Sequence, residues 1–229
     1  MRGKVVLTTL ISVLVIIVFV FCLMINSTRI IHQQNNNSYY ICVGENLNLR
    51  DGEQLQNKIE NDGGAGVYMD EIGSVIVFAY SSFDEATKAL QNIKNKYTSS
   101  FVYGEENVAF SKNVCKKIYQ NDNIFTTTNT IIENKKLIND YFYKYENEEI
   151  GQMDLQKFMI NQREKINDCV NGFSDSGIVD DLKLLLLYFD KFLSIFPGES
   201  NWLVSFKKTC VISHLACHAF LEKIESLFN

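Results

Sequence analysis

The chain has 229 residues, of which 46% are hydrophobic, and its formal net charge is −5 at pH 7. This hydrophobic content is typical of a chain that folds around a core, and it excludes a protein that is disordered along its whole length. The negative charge argues against nucleic acid as a partner, because binding to phosphates depends on Lys and Arg side chains that displace counterions. The six cysteines are widely spaced and form no C-x-x-C pair, which favours buried free thiols over a disulfide framework and leaves a single bridge open.

An uncharged hydrophobic segment spans residues 5–25 and follows Arg2 and Lys4. At about 1.5 Å per residue, a helix of this length crosses the hydrocarbon core of a bilayer. We therefore predict a cytoplasmic tail over 1–4, a transmembrane helix over 5–25, a polar tether over 26–38 and extracytoplasmic domains beyond it, because basic residues favour the cytoplasmic side. A cleaved signal peptide is the alternative, but its hydrophobic region would be unusually long and no A-x-A-like cleavage site follows.

Residues 39–107 predict a small α+β domain with the order strand, helix, two strands, helix, strand. Runs rich in β-branched and aromatic residues at 39–44 and 74–80 are typical of strands. Apolar positions at helical spacing predict one helix over 51–62, which two glycines end, and a second helix that begins at Phe83.

Three sequence motifs of this domain resemble the SPOR family. They are YYICVG at 39–44, GGAGVY at 63–68, and VIV at 75–77 with FDEA at 83–86. They are similar to the aromatic opening of that family, its glycine-marked turn before the second strand, and its valine-rich third strand leading into an E-A helix. The resemblance implies a ferredoxin-like fold, a membrane-anchored topology, and binding of peptidoglycan glycan strands that lack stem peptides. An unrelated ferredoxin-like α+β domain is the alternative.

The SPOR resemblance also implies that the ligand binds the sheet face that the helices leave open. Strand alternation then places one set of residues on that face. These candidate ligand-binding residues are Tyr40, Cys42, Ser74, Ile76 and Phe78. The family commonly has polar residues at the positions of Cys42 and Ile76, so this face offers a glycan few hydrogen-bonding partners and could instead be covered by protein.

Residues 108–229 predict an all-α domain, a bundle of four or five helices. The segment 178–196 is apolar on almost every side, which indicates a buried helix, and it is too short and too charged for a second membrane span. Pro197 and Gly198 end that segment, and the final helix is predicted over 202–228.

The final helix carries a set of potential zinc ligands on one face, namely Cys210, His214, Cys217 and His218. Ligands from a single helix do not easily close a tetrahedron around zinc, so we interpret these residues as core and expect neither a metal nor another cofactor. The glycine run at 63–66 lacks the GK[ST] ending of a phosphate-binding loop. The acidic residues show no spacing that pairs an acid with a base.

The sequence as a whole predicts an α+β protein with an N-terminal transmembrane helix, a SPOR-like domain and an all-α C-terminal bundle. We expect a non-enzymatic protein of the cell membrane of a Gram-positive bacterium, with its domains outside the cytoplasm, acting in cell division or sporulation. Its expected partners are the lipid bilayer and either peptidoglycan glycan strands or another envelope protein. A structural subunit of an envelope complex without glycan binding is the alternative, and an enzyme with its site in the helical half is a third hypothesis.

Overall fold

The computed structural model describes residues 37–105, 108–173 and 177–229. Four strands form one antiparallel sheet with the order β2-β3-β1-β4. The strands are β1 (Ser38–Val43), β2 (Val67–Met69), β3 (Ser74–Tyr80) and β4 (Ser100–Glu105). The helices are α1 (Leu49–Asn61), α2 (Phe83–Lys94), α3 (Lys112–Tyr119), α4 (Asp122–Glu146), α5 (Gln152–Asn171), α6 (Asp180–Ile195) and α7 (Trp202–Phe228).

Local sequence signals set several element boundaries. The side chain of Asn48 accepts a hydrogen bond from the backbone N–H of Asp51, which caps the start of α1. Gly73 ends the short turn between β2 and β3 with a left-handed φ of 55°. A Cβ there would lie 2.8 Å from the backbone nitrogen of Leu47, so only glycine fits this position without a shift of the chain.

The pairing of β1 with β3 contains a β-bulge. Ile41 lies opposite Phe78, but the next residue, Cys42, lies opposite Ile76. The extra residue in β3, Val77, breaks the strict alternation of side chains along that strand. Phe78 therefore belongs to the same core cluster as Ile41, whereas Ile76 belongs to the cluster of Cys42.

Helices cover both faces of the sheet. Helices α1 and α2 contact one face, where Ile59 and Leu90 join the core that contains Ile41. Helix α7 lies against the other face through Val211 and Leu215. The same helix also contacts α4 and α6, so the sheet and the C-terminal helices are packed as one body.

The predicted fold class is wrong. The described residues are mostly helical, and their small four-stranded sheet is enclosed between helices instead of forming an α+β domain beside a separate bundle. The physical reason is α7, which has buried residues on several sides and must pack against the sheet and against other helices at the same time.

The predicted transmembrane helix over 5–25 lies outside the described residues, as do the predicted tail over 1–4 and most of the predicted tether. Within 37–105, 108–173 and 177–229, no helix has both the length and the apolar character that crossing a bilayer requires.

Candidate functional site

The structure places every predicted ligand-binding residue in the protein interior. Exposure is 5% for Phe78 and zero for the other four, which are Tyr40, Cys42, Ser74 and Ile76. Three of the five lie beneath α7, in the cluster that includes Val211. A ligand would reach this part of the sheet only if α7 moved away from it.

The other two predicted residues are engaged in different ways. The hydroxyl of Ser74 donates a hydrogen bond of 2.6 Å to the backbone carbonyl of Gly44. The ring of Phe78 lies 4.7 Å, centroid to centroid, from the ring of Phe142 on α4. The Ser74 hydroxyl therefore joins β3 to the residue that follows β1, whereas Phe78 packs the sheet against α4.

A cleft of about 550 Å³ opens where α6 and α7 meet the sheet. We call it the acidic cleft, because five of its lining residues are carboxylates. Those are Asp70, Glu71, Glu105, Asp181 and Glu222. Two aromatic rings, of Tyr68 and Tyr103, also line it, together with His218. The remaining lining residues are apolar: Met69, Leu184, Ile212, Leu215, Ala216 and Ala219.

A chain of polar contacts runs from the core to the rim of the acidic cleft. The hydroxyl of Tyr40 donates a hydrogen bond of 2.7 Å to Glu105 Oε2. His218 Nδ1 lies 3.9 Å from that same oxygen, and His218 Nε2 lies 3.3 Å from Glu222 Oε1. The side chain of Glu105 is 11% exposed and that of Glu222 is 62% exposed, so the chain leads from an enclosed carboxylate to a solvated one.

Burial sets the protonation of the groups at the inner end of the cleft. It raises the pKa of the Glu105 carboxyl, and the hydrogen bond from Tyr40 and the charges of His218 and Lys135 oppose that rise. Burial and the nearby Glu105 charge raise the pKa of the Tyr40 hydroxyl well above its ordinary value. The same two causes raise the pKa of the Cys42 thiol to about 12. Tyr40 and Cys42 are thus neutral at pH 7, and Tyr40 acts as a hydrogen-bond donor.

The four potential zinc ligands of α7 do not converge. Cys210 and Cys217 are buried free thiols. His214 is fully buried and contacts Ser38 and Asn139, whereas His218 faces the acidic cleft. In the part of the chain that the structure describes, no three His, Cys, Asp or Glu side chains come together in a way that could hold a metal ion.

A buried polar network lies beside Tyr40 and joins β1 to α4 and α7. Its hub is the Ser38 hydroxyl, which is 3.0 Å from His214 Nδ1 and 3.2 Å from Lys135 Nζ. Asn139 Nδ2 lies 3.0 Å from His214 Nε2 and donates a hydrogen bond to it, because an amide nitrogen can only donate. The same nitrogen also donates to the backbone carbonyl of Ala79. Sequence reasoning missed Lys135 because lysine is almost never fully buried.

Sequence reasoning also missed the acidic cleft. Several of its acidic residues stand out in the sequence as short clusters, but their spacing indicates only solvated surface. The cleft forms because β2, the turn that follows it, β4, α6 and α7 each contribute a few residues to it. No local pattern in one segment can predict such a site.

The acidic cleft combines negative charge with aromatic and apolar side chains. This chemistry suits a ligand that has both cationic and apolar parts, because carboxylates attract the charge and the remaining surface buries the apolar groups. No protein-family model, curated protein or solved structure matches the chain.

Proposed function

We propose that this protein is a non-catalytic subunit that holds another protein, and that the acidic cleft is part of its contact surface. The observation that carries the proposal is the burial of Tyr40, Cys42 and Ile76 beneath α7. A face that is already covered by the chain itself cannot present hydrogen bonds to a glycan. This favours the structural-subunit alternative over glycan binding on the sheet.

Two exposed leucines next to the acidic cleft support a protein partner. Leu184 is 46% exposed and lines the cleft, and Leu187, one helical turn away on α6, is 64% exposed. Isolated exposed apolar residues are ordinary, but these two extend the apolar part of the cleft onto the outer surface. Protein interfaces combine such an apolar centre with a charged rim.

Glycan binding inside the acidic cleft is the second candidate. Tyr68 and Tyr103 offer rings on which a sugar can stack, and the carboxylates around them accept hydrogen bonds from hydroxyl groups. The SPOR resemblance, which implies peptidoglycan as a ligand in division or sporulation, stays a prediction, and so does a location in the cell envelope.

Photo-crosslinking in cells tests the proposal. A photoreactive residue at position 187 of the full chain should give one discrete adduct, which the charged variant Leu184→Lys abolishes. The same residue at Gln91, exposed on α2, is the matched control and should give none.

A second measurement separates the two candidates. Retention of the full chain on peptidoglycan stripped of stem peptides, lost in the variant Tyr103→Ala, together with no adduct from position 187, would replace the protein-partner proposal with glycan binding in the cleft.

A further inference from the structure

We infer that the acidic cleft and the leucine pair Leu184 and Leu187 bind a basic amphipathic segment of a partner protein. This inference rests on the proposed function and adds the chemistry of the partner. The occupant is a segment with apolar side chains on one side and Lys or Arg side chains on the other.

The apolar part of the surface is continuous. Ile212, Leu215 and Ala216 of α7 line the acidic cleft, and Leu184 lines it from α6. Leu187 continues this surface by one turn of α6 toward solvent. A partner would remove from water the exposed apolar area of Leu184, Leu187 and Leu215, which is the main favourable contribution to protein association. Ile212 and Ala216 are already buried by the chain itself.

The charged part of the surface is only partly compensated by cationic groups of the chain itself. Asp181 has a lysine partner, Lys223, and His218 stands between Glu105 and Glu222. Among the residues that the structure describes, no Lys or Arg lines the acidic cleft. The four carboxylates other than Asp181 thus leave a negative potential at the cleft that is available to cationic groups of a partner.

This charge pattern selects among the possible occupants. An anionic membrane surface or a nucleic acid would be repelled by the cleft carboxylates. A second copy of this chain carries the same net charge of −5, which opposes self-association through this surface. A basic segment of a different protein is the partner that satisfies both the charge and the apolar surface.

Glu105 gives the surface a fixed acceptor at its inner end. The hydrogen bond from Tyr40 orients this carboxylate, and its limited exposure places it where a long cationic side chain, and not a short one, would reach it. Arg or Lys at the centre of the bound segment fits this position.

Fluorescence anisotropy on the full chain in detergent micelles tests the inference. The probe is a labelled synthetic amphipathic helix of leucine and lysine, and a second peptide carries glutamate in place of every lysine. We expect the lysine peptide to bind and the glutamate peptide not to bind. Added salt should weaken the binding, because the attraction is partly between exposed charges.

Variants locate the binding site. The double variant Glu71→Lys with Glu222→Lys should weaken binding of the lysine peptide by about tenfold or more, because it turns attraction into repulsion at the rim of the cleft. The control Glu53→Lys with Glu164→Lys makes the same change in net charge at two exposed positions outside the cleft and should alter the affinity by less than about twofold.

The result decides between the inference and the proposal on which it rests. Equal loss in the control and cleft variants, or no binding of the lysine peptide, overturns the inference. If position 187 still gives its adduct in cells, the proposed function survives and only the basic character of the partner is wrong. If that adduct is absent as well, both fall.

Discussion

At the scale of single residues, the least expected feature is that Lys135 and His214, two side chains that can carry a positive charge, are both buried. Burial lowers the pKa of Lys135. Burial, and secondarily the charge of Lys135, lowers the pKa of His214 well below its ordinary value. His214 also faces Ser38 and Asn139, and its ring lies 6.2 Å from that of Tyr40. No carboxylate contacts His214 directly, so a proton on its ring would have no close counter-charge among the described residues.

This environment predicts a pH-dependent stability. The unfolded chain binds a proton on His214 with a pKa of about 6.5, and the folded protein binds it only at lower pH. The contribution of His214 to stability is therefore complete above about pH 6.5 and is lost as the pH falls below that value. Between pH 7 and pH 5.5, we expect wild type to lose about 1 kcal/mol more of its free energy of unfolding than His214→Gln, measured by urea denaturation.

An exposed residue that carries no ionisable group supplies the control for this measurement. The variant Gln91→Ala changes such a side chain on α2 and should keep the pH dependence of wild type. If His214→Gln and wild type lose stability in parallel over this pH range, the buried network does not exclude a proton.

The sequence placed His214 correctly on an apolar helix but gave no sign of its partners. Ser38 is 176 residues away along the chain and Asn139 is 75 residues away. Spacing on one helix groups His214 with Cys210, Cys217 and His218, and the structure separates these four because they point to different neighbours. Contacts between distant segments depend on tertiary packing, which residue spacing does not contain.

At the scale of elements, the sequence predicted the bounds of helices and strands better than it predicted which face of the sheet a residue occupies. The final helix was predicted over 202–228 and spans Trp202–Phe228, and the strand predicted over 74–80 spans Ser74–Tyr80. The assignment of faces was less reliable, because the bulge at Val77 changes the alternation that places Phe78. Nothing in the sequence of one strand marks a bulge that arises from its pairing with another.

The role of α7 as the cover of the sheet predicts a large effect at Val211. This side chain is fully buried between α7 and the sheet, so Val211→Ala should lower the free energy of unfolding by about 2 kcal/mol through lost burial and a small cavity. Leu227→Ala on the same helix is the control, because Leu227 is 54% exposed and its truncation should change stability by about 0.5 kcal/mol or less. Urea titrations of both variants give the comparison, and similar small losses would show that α7 is not held against the sheet in solution.

At the scale of the whole molecule, one hydrophobic core joins the two regions that the sequence divides near residue 107. The same cluster of buried side chains contains Ile41 of β1, Leu90 of α2 and Ile224 of α7. The sequence could not reveal this union, since an apolar helix face does not specify whether a sheet or another helix will cover it. The acidic cleft has the same origin, because it is the space left where α6 and α7 meet the sheet.

A shared core predicts cooperative unfolding. If the sheet and the C-terminal helices depend on each other for burial, neither should remain folded when the other is lost. Fluorescence of Trp202, which packs against Phe196 with ring centroids 5.0 Å apart, reports on the helices. Hydrogen exchange of the Ile76 amide in β3 reports on the sheet. We expect both probes to give one urea midpoint, and Val211→Ala to lower both midpoints equally.

Two separate midpoints, with only the helical one lowered by that variant, would mean that the sheet region folds independently and that α7 can leave it. The face carrying Tyr40, Cys42 and Ile76 would then be open to a ligand.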